Sequence, residues 1–478
     1  MSDIKQNYLN GSWEPSDVVG DSYSPATGQI IGRYYEASES QVEDAINAAA
    51  ETFEMSPWQH DRELRAAALN ELADLIEAHS SELVELLAQE NGKVLGEAEF
   101  ELSLVPSKLR YYAAQALVDL GYGAQTKKGA FSTLLRQPIG VAGVIVPWNS
   151  PVVLSVRSFA PALAAGCTAV VKMPAQTALV NARLAEIVSK ATKLPAGVLS
   201  FFTESGDEGS KLLVRSPKVP VISYTGSTKV GRQIMADAAP HLKRLSLELG
   251  GKTPMIVFDD ADLAEAVGTI VAGITTFTGQ FCMTGSRILA QQGIAQQLRQ
   301  KLKSALAAVE VGPGDAPNSQ MGPMIDRAAR DGLVERIKEK SANAEVLLRG
   351  GPPEGNEDGS GAYYRPELYA VQDTDSALIQ EELFGPIATF EVFENENDAI
   401  QRANVTEYGL AASVWTQNGQ RGLRMADRID AGTVWINGWA AVFDQFEEGG
   451  FKQSGLGRLN GNRALEEFQE VKHVVQFA

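Results

Sequence analysis

Between residues 141 and 258 the chain alternates short apolar runs with longer stretches of helical pattern. No other feature constrains the fold as tightly. The apolar runs cover 141–146, 168–172, 198–202, 219–224 and 242–247. The stretches 151–166, 177–191, 207–215 and 228–238 place apolar residues at helical spacing. A strand that is apolar throughout must be buried on both faces, and intervening helices can cover both. The pattern therefore predicts an α/β fold with a parallel sheet. A second alternating block starts at Pro254. There 255–258 reads as a strand, Asp259, Asp260 and Asp262 open a helix reaching about residue 278, and 432–437 is another buried strand.

The flanking regions follow simpler patterns. Residues 1–35 read as short strands and turns. Ser40 and Glu43 form a capping-box spacing ahead of a helix with Val42, Ala45, Ile46, Ala49 and Phe53 on one face. Asp61 can cap a second helix; a third covers 81–90 and stops at Asn91-Gly92; a fourth covers 101–120. Residues 124–140 lack a helical period and suggest an extruded hairpin. The breaker-rich stretch 349–361 is a surface loop, and 467–478 is β-like. A chain of 478 residues is too long for one core and should hold two or three domains.

Composition removes several function classes. A net charge of −18 repels phosphate backbones, which argues against nucleic acid as a partner. Two cysteines and four scattered histidines make neither a disulfide framework nor a metal site. There is no leader pattern at the start and no run of about 18 apolar residues, so no membrane span is expected. A reducing, cytoplasmic setting is the expectation.

Four stretches carry chemistry. Ile145-Val146-Pro147-Trp148-Asn149 lies at the end of the first sheet strand, where open α/β sheets place their ligands, and Asn149 offers an amide donor. In Thr225-Gly226-Ser227-Thr228, a strand runs into a helix whose N-terminus could meet a phosphate. Glu248-Leu249-Gly250-Gly251-Lys252 sets a carboxylate beside two glycines. Cys282 sits between Gly279 and Gly285. Each has an ordinary structural explanation: an Asn turn, a Gly-Ser turn, a solvated loop carboxylate, a small buried thiol. Together, a thiol, a carboxylate and an amide donor make a covalent acyl-transfer set. No histidine accompanies them, so papain-like proteolysis fits poorly.

The same words, with Glu381-Glu382-Leu383-Phe384-Gly385-Pro386, Tyr408-Gly409-Leu410-Ala411 and Lys452-Gln453-Ser454-Gly455-Leu456-Gly457-Arg458, resemble the NAD(P)-dependent aldehyde dehydrogenases, in order and at family-like spacing. The resemblance implies a Rossmann-like dinucleotide-binding domain from 1–119 and 139–249. It implies a catalytic α/β domain at 250–450, and oligomerisation segments at 120–138 and 460–478 that build a homodimer or homotetramer. By the same resemblance, Cys282 attacks the aldehyde carbon. Asn149 and the Cys282 amide hold the oxyanion, and Glu248 activates the water that hydrolyses the thioester. The cofactor, NAD or NADP, would meet Ile145, Trp148, Lys172, Ala175, Gly226, Ser227, Glu382 and Phe384. Ser150, Leu154, Arg157, Phe281, Met283, Val442 and Glu448 would line the aldehyde tunnel. Cys167 is read as a buried small residue.

The chain also departs from the family pattern. Ala175 stands where NAD-preferring members often carry Glu, which suggests that NADP is accepted. Leu459 replaces a carboxylate proposed to relay protons. Ser150, Arg157 and Glu448 make the tunnel polar, which suggests a polar-substituted small or aromatic aldehyde, although Arg157 and Glu448 could instead pair with each other. Two other readings stand beside hydrolytic oxidation. One is a CoA-acylating relative, which typically lacks the carboxylate found here at Glu248. The other is a non-catalytic dinucleotide-binding relative, which would have lost Cys282 or its partners.

Overall fold

A computed structural model describes residues 4–118, 121–342, 344–353 and 361–477. Two large sheets dominate it. The first has eight strands, in the order Ser12–Glu14, Asn7–Leu9, Leu199–Glu204, Thr168–Pro174, Val141–Ile145, Val221–Thr225, Arg244–Glu248 and Gly455–Leu456. The five middle strands are parallel, as the alternation requires. Successive residues of these strands face opposite sides. Ala142, Val144, Ala169 and Val171 pack into one core, while Val141, Ile145 and Val170 pack into another. Strand order reverses between Val141–Ile145 and Val221–Thr225, which opens a crevice beyond the carboxyl ends of those two strands.

The second sheet has seven strands, in the order Glu345–Leu348, Glu367–Ala370, Ile387–Phe393, Arg287–Gln291, Pro254–Val257, Ala411–Trp415 and Thr433–Ile436. All its pairings are parallel except the first. Met255 and Val257 face one core and Ile256 and Phe258 the other. The buried Arg287 guanidinium makes two 2.8 Å bonds to the Glu391 carboxylate, so the two opposite charges in that interior face each other.

The hairpin expected near 124–140 consists of Tyr122–Lys127 and Ala130–Pro138, and the C-terminal strand Gln469–Phe477 pairs with its second arm. Among the described residues, no helix is long and apolar enough to cross a membrane.

Several boundaries differ from the sequence reading. The first helix, Glu39–Met55, is capped by Ser38 and Gln41, not Ser40 and Glu43. Ser38 has the extended backbone a cap needs, and Gln41 returns a bond to the Ser38 amide at 3.1 Å, so Ser40 already lies inside the first turn. The fourth helix starts at Leu95, because Ala98 opens the buried stripe that continues through Leu102, Val105, Leu109 and Tyr112. Its expected end at 119–120 lies outside the described residues, as do 354–360 of the breaker-rich loop and the final residue. The helix expected to reach 278 stops at Thr275, since Phe277 and Thr278 adopt left-handed backbone.

Candidate active site

The Cys282 loop begins with three successive left-handed residues, Phe277, Thr278 and Gly279 at φ 52°, 55° and 68°. Only glycine takes that conformation without strain, so neighbours must hold the first two. The Phe277 amide donates to the half-buried Glu97 carboxylate at 2.8 Å, and the Thr278 hydroxyl donates to the Gly322 carbonyl at 2.9 Å. The Gln280 side-chain oxygen accepts from the Ile325 amide at 3.0 Å. At Gly279 a Cβ would stand 2.2 Å from the Gly385 carbonyl carbon.

Asn149, just beyond strand Val141–Ile145, is buried and donates its side-chain amide to the Gln280 carbonyl at 3.1 Å. Glu248 ends strand Arg244–Glu248; it is buried, and its Oε1 has no partner among the described residues. Burial pushes its carboxyl up to about 8, against the pull of Arg157. The glycines after it allow close approach. A Cβ on Gly251 would lie 2.4 Å from the Cys282 carbonyl oxygen, and one on Gly250 would lie 2.5 Å from Glu382 Oε2. Burial also pushes the Cys282 thiol up to about 12, with Arg157 opposing that shift.

On one side lies a cleft of about 530 Å³ at the strand-order reversal, lined by Ile145, Trp148, Lys172, Gly226 and Ser227 among others. Ser227 caps helix Thr228–Ala238, so that helix's N-terminus faces the cleft. Desolvation lowers the pKa of the Lys172 ammonium. Ala175 starts a short 3₁₀ turn, and it is its neighbours Pro174 and Gln176 that line the cleft. Glu382 accepts from the Gly251 amide at 3.0 Å, and burial pushes it up to about 7. Phe384, left-handed at φ 54°, sets its ring edge-on to Trp148 at 5.5 Å. The sequence reading missed Glu204 and Asp207, two carboxylates in the same wall. Their only sequence signal was their position just after an apolar strand.

On the other side is a cavity of about 80 Å³ that includes Cys282. Ser150, Leu154, Arg157, Phe281, Val442 and Glu448 line it. Met283 does not; it is buried in a cluster with Leu410, Ala411 and Trp435. Lys108, Asp444 and Asn460 line the cavity too and were missed. The one available signal was Lys108, a charge on the buried stripe of its helix. Arg157 and Glu448 do pair, at 3.2 Å. Cys167 lies apart, buried, with its thiol donating to the Phe468 carbonyl at 3.3 Å. Among the described residues, no group of His, Cys, Asp or Glu is placed to hold a metal ion.

The fold and site define an α/β protein with an open-sheet crevice at a strand-order reversal and a small cavity that holds a cysteine. The description "Aldehyde dehydrogenase family" matches residues 13–474. The chain is 35% identical over 470 residues to the hydroxyisobutyraldehyde dehydrogenase of Mycolicibacterium austroafricanum, covering 98% of this chain and 92% of that one. It is 34% identical over 481 residues to the phenylacetaldehyde dehydrogenase of Pseudomonas fluorescens, covering 98% and 95%. A crystal structure of betaine aldehyde dehydrogenase from Staphylococcus aureus in complex with NAD+ superposes with a TM-score of 0.96 at 33% identity, covering 99% of this chain and 95% of that one. The chain belongs to the aldehyde dehydrogenase family, whose general activity is the oxidation of aldehydes to acids.

Proposed function

We propose that this protein oxidises a small, polar-substituted or aromatic aldehyde to its carboxylic acid through a thioester on Cys282, using NAD or NADP. The observation that carries the reading is convergence. Asn149, Glu248 and Cys282 come from three separated segments: Asn149 bonds the Gln280 carbonyl two residues before Cys282, and Gly251, three residues after Glu248, packs against the Cys282 carbonyl. The sulfur attacks the aldehyde carbon as the thiolate, its proton given up to water. Asn149 Nδ2 has two hydrogens. One is bonded to Gln280, and the second is left for the developing oxyanion. Glu248 then activates the water that cleaves the thioester, which favours release of acid over transfer to CoA.

The donor set fits a nicotinamide dinucleotide. The helix N-terminus at Ser227 suits a pyrophosphate, Lys172 suits ribose hydroxyls, and Glu382 with Phe384 suits the nicotinamide end. When bound, that cofactor supplies the hydride acceptor. The three-stranded sheet leaves Val471, Val474, Val475 and Phe477 exposed, which supports a homodimer or homotetramer.

The test is a rapid-mixing experiment with an aldehyde panel, following reduced cofactor. Native protein should give turnover, and Cys282→Ala should give none while still binding cofactor. Cys167→Ala should turn over normally. Substantial oxidation by Cys282→Ala would end the covalent reading.

A further inference from the structure

The polar wall of the cavity is a closed network. Lys108 Nζ donates to Asp444 Oδ1 at 2.6 Å and to Asn460 Oδ1 at 2.7 Å. Asn460 Nδ2 donates to Glu448 Oε2 at 2.9 Å, and Arg157 Nη1 donates to the same oxygen at 3.2 Å. Arg157 Nη2 donates onward to Thr225 Oγ1 at 3.1 Å. The backbone of Glu448 is tied to Leu459 by bonds of 2.7 and 2.9 Å, and its carboxylate is held by the bonds from Arg157 and Asn460. The remaining charge in the wall, Glu101, is paired with Lys93 and accepts from the amides of Val152 and Val153.

Every cation lining the cavity therefore already faces a carboxylate. The side chains of Lys108 and Arg157 are only 4% and 6% exposed, and those of Asp444 and Glu448 are 14% and 10% exposed. A substrate carboxylate reaching Arg157 would be brought against Glu448, and a substrate ammonium reaching Glu448 would be brought against Arg157. Breaking either pair leaves a buried charge without its partner, which is strongly unfavourable. Arg157 Nε is also buried, with no partner among the described residues and no surface open to the cavity, so it is not the group a substrate would meet. An uncharged substrate disturbs neither pair, whereas a charged one must compete with both.

We infer that the tunnel selects aldehydes whose far end carries no charge. Glu448 sets this preference by holding Arg157 in an internal pair. The inference rests on the oxidation reading above and narrows its substrate.

The experiment measures kcat/KM for 3-hydroxypropanal, succinate semialdehyde, 3-aminopropanal and butanal. The native enzyme should favour the hydroxyaldehyde over both charged substrates by about tenfold or more, as like charges brought together in a buried site demand. Glu448→Gln should raise succinate semialdehyde relative to 3-hydroxypropanal by about tenfold, because Arg157 is then available to a carboxylate. Arg157→Gln combined with Glu448→Gln should lose that gain. Melting temperatures and cofactor titrations establish that the variants fold, and the native ranking decides by itself if they do not. A native preference for a charged substrate overturns the inference, and so does a folded Glu448→Gln with unchanged ranking. Both results leave aldehyde oxidation standing, whereas no turnover of any aldehyde removes both readings.

Discussion

The side-chain amide of Asn149 donates to the carbonyl of Gln280 at 3.1 Å, two residues before Cys282. This bond ties the end of a first-sheet strand to the cysteine loop. It also orients the amide, so that its second hydrogen is positioned before any substrate arrives. Asn149→Ala should lower kcat by about 10²–10³-fold, the usual cost of losing one oxyanion donor. Cofactor affinity should change little. Steady-state kinetics with a cofactor titration checks both, and a kcat within a factor of about three of native would remove Asn149 from that role.

Glu248 gives a pH signature. Burial raises its carboxyl to about 8, so at neutral pH most of it is protonated and unable to act as a base. Where release of the acid limits turnover, kcat should rise through a midpoint of about 8 and level off above it. Glu248→Gln should show one burst of reduced cofactor, a steady rate lower by about 10²-fold or more, and no such rise. Normal steady turnover in that variant would make Glu248 structural.

Cofactor choice can be tested at Ala175. Without a carboxylate there, the hydrogen bonds to the ribose and the repulsion of a 2′-phosphate are both missing at that position. NADP should support turnover alongside NAD. Ala175→Glu should depress kcat/KM for NADP more than for NAD. Native turnover with NAD alone would transfer the selecting role to Glu204 and Asp207, which line the same cleft.

Gly279 tests whether the strained loop needs its glycine. Alanine there would hold φ near 68° and push a Cβ to within 2.2 Å of the Gly385 backbone. Gly279→Ala should cost about 2 kcal/mol or more of stability and also lower kcat, because the displaced loop carries Cys282. Thermal unfolding read beside turnover separates this from Gly268→Ala, whose Cβ meets open space in the middle of helix Leu263–Thr275 and should be neutral or better.

Much of the fold was legible because its signals are local. Short, mostly apolar runs at 141–146 and 168–172, set between helical stretches, read as buried strands, and their residues do divide between two cores by simple alternation. The words around Asn149, Gly226, Glu248 and Cys282 mark strand ends and turns whose chemistry is carried within a few residues. Registers set by competition between neighbours were less legible. Ser38 and Ser40 both offer a helix cap, and only the backbone conformation at Ser38 decides between them.

What tertiary structure alone decided is which distant side chains share a space. Sequence spacing reports the face of one element but is silent about what packs against it. Lys108 and Asn460 lie far apart in the chain and meet at 2.7 Å in the cavity wall. Phe281 and Met283 flank the cysteine equally in sequence, yet only Phe281 lines the cavity, because the left-handed turn before it fixes which way the loop faces. The sequence by itself determined the α/β architecture and the chemistry-bearing words. Long-range packing determined that Arg157 faces Glu448, because a buried charge is satisfied by whichever partner the fold brings within reach.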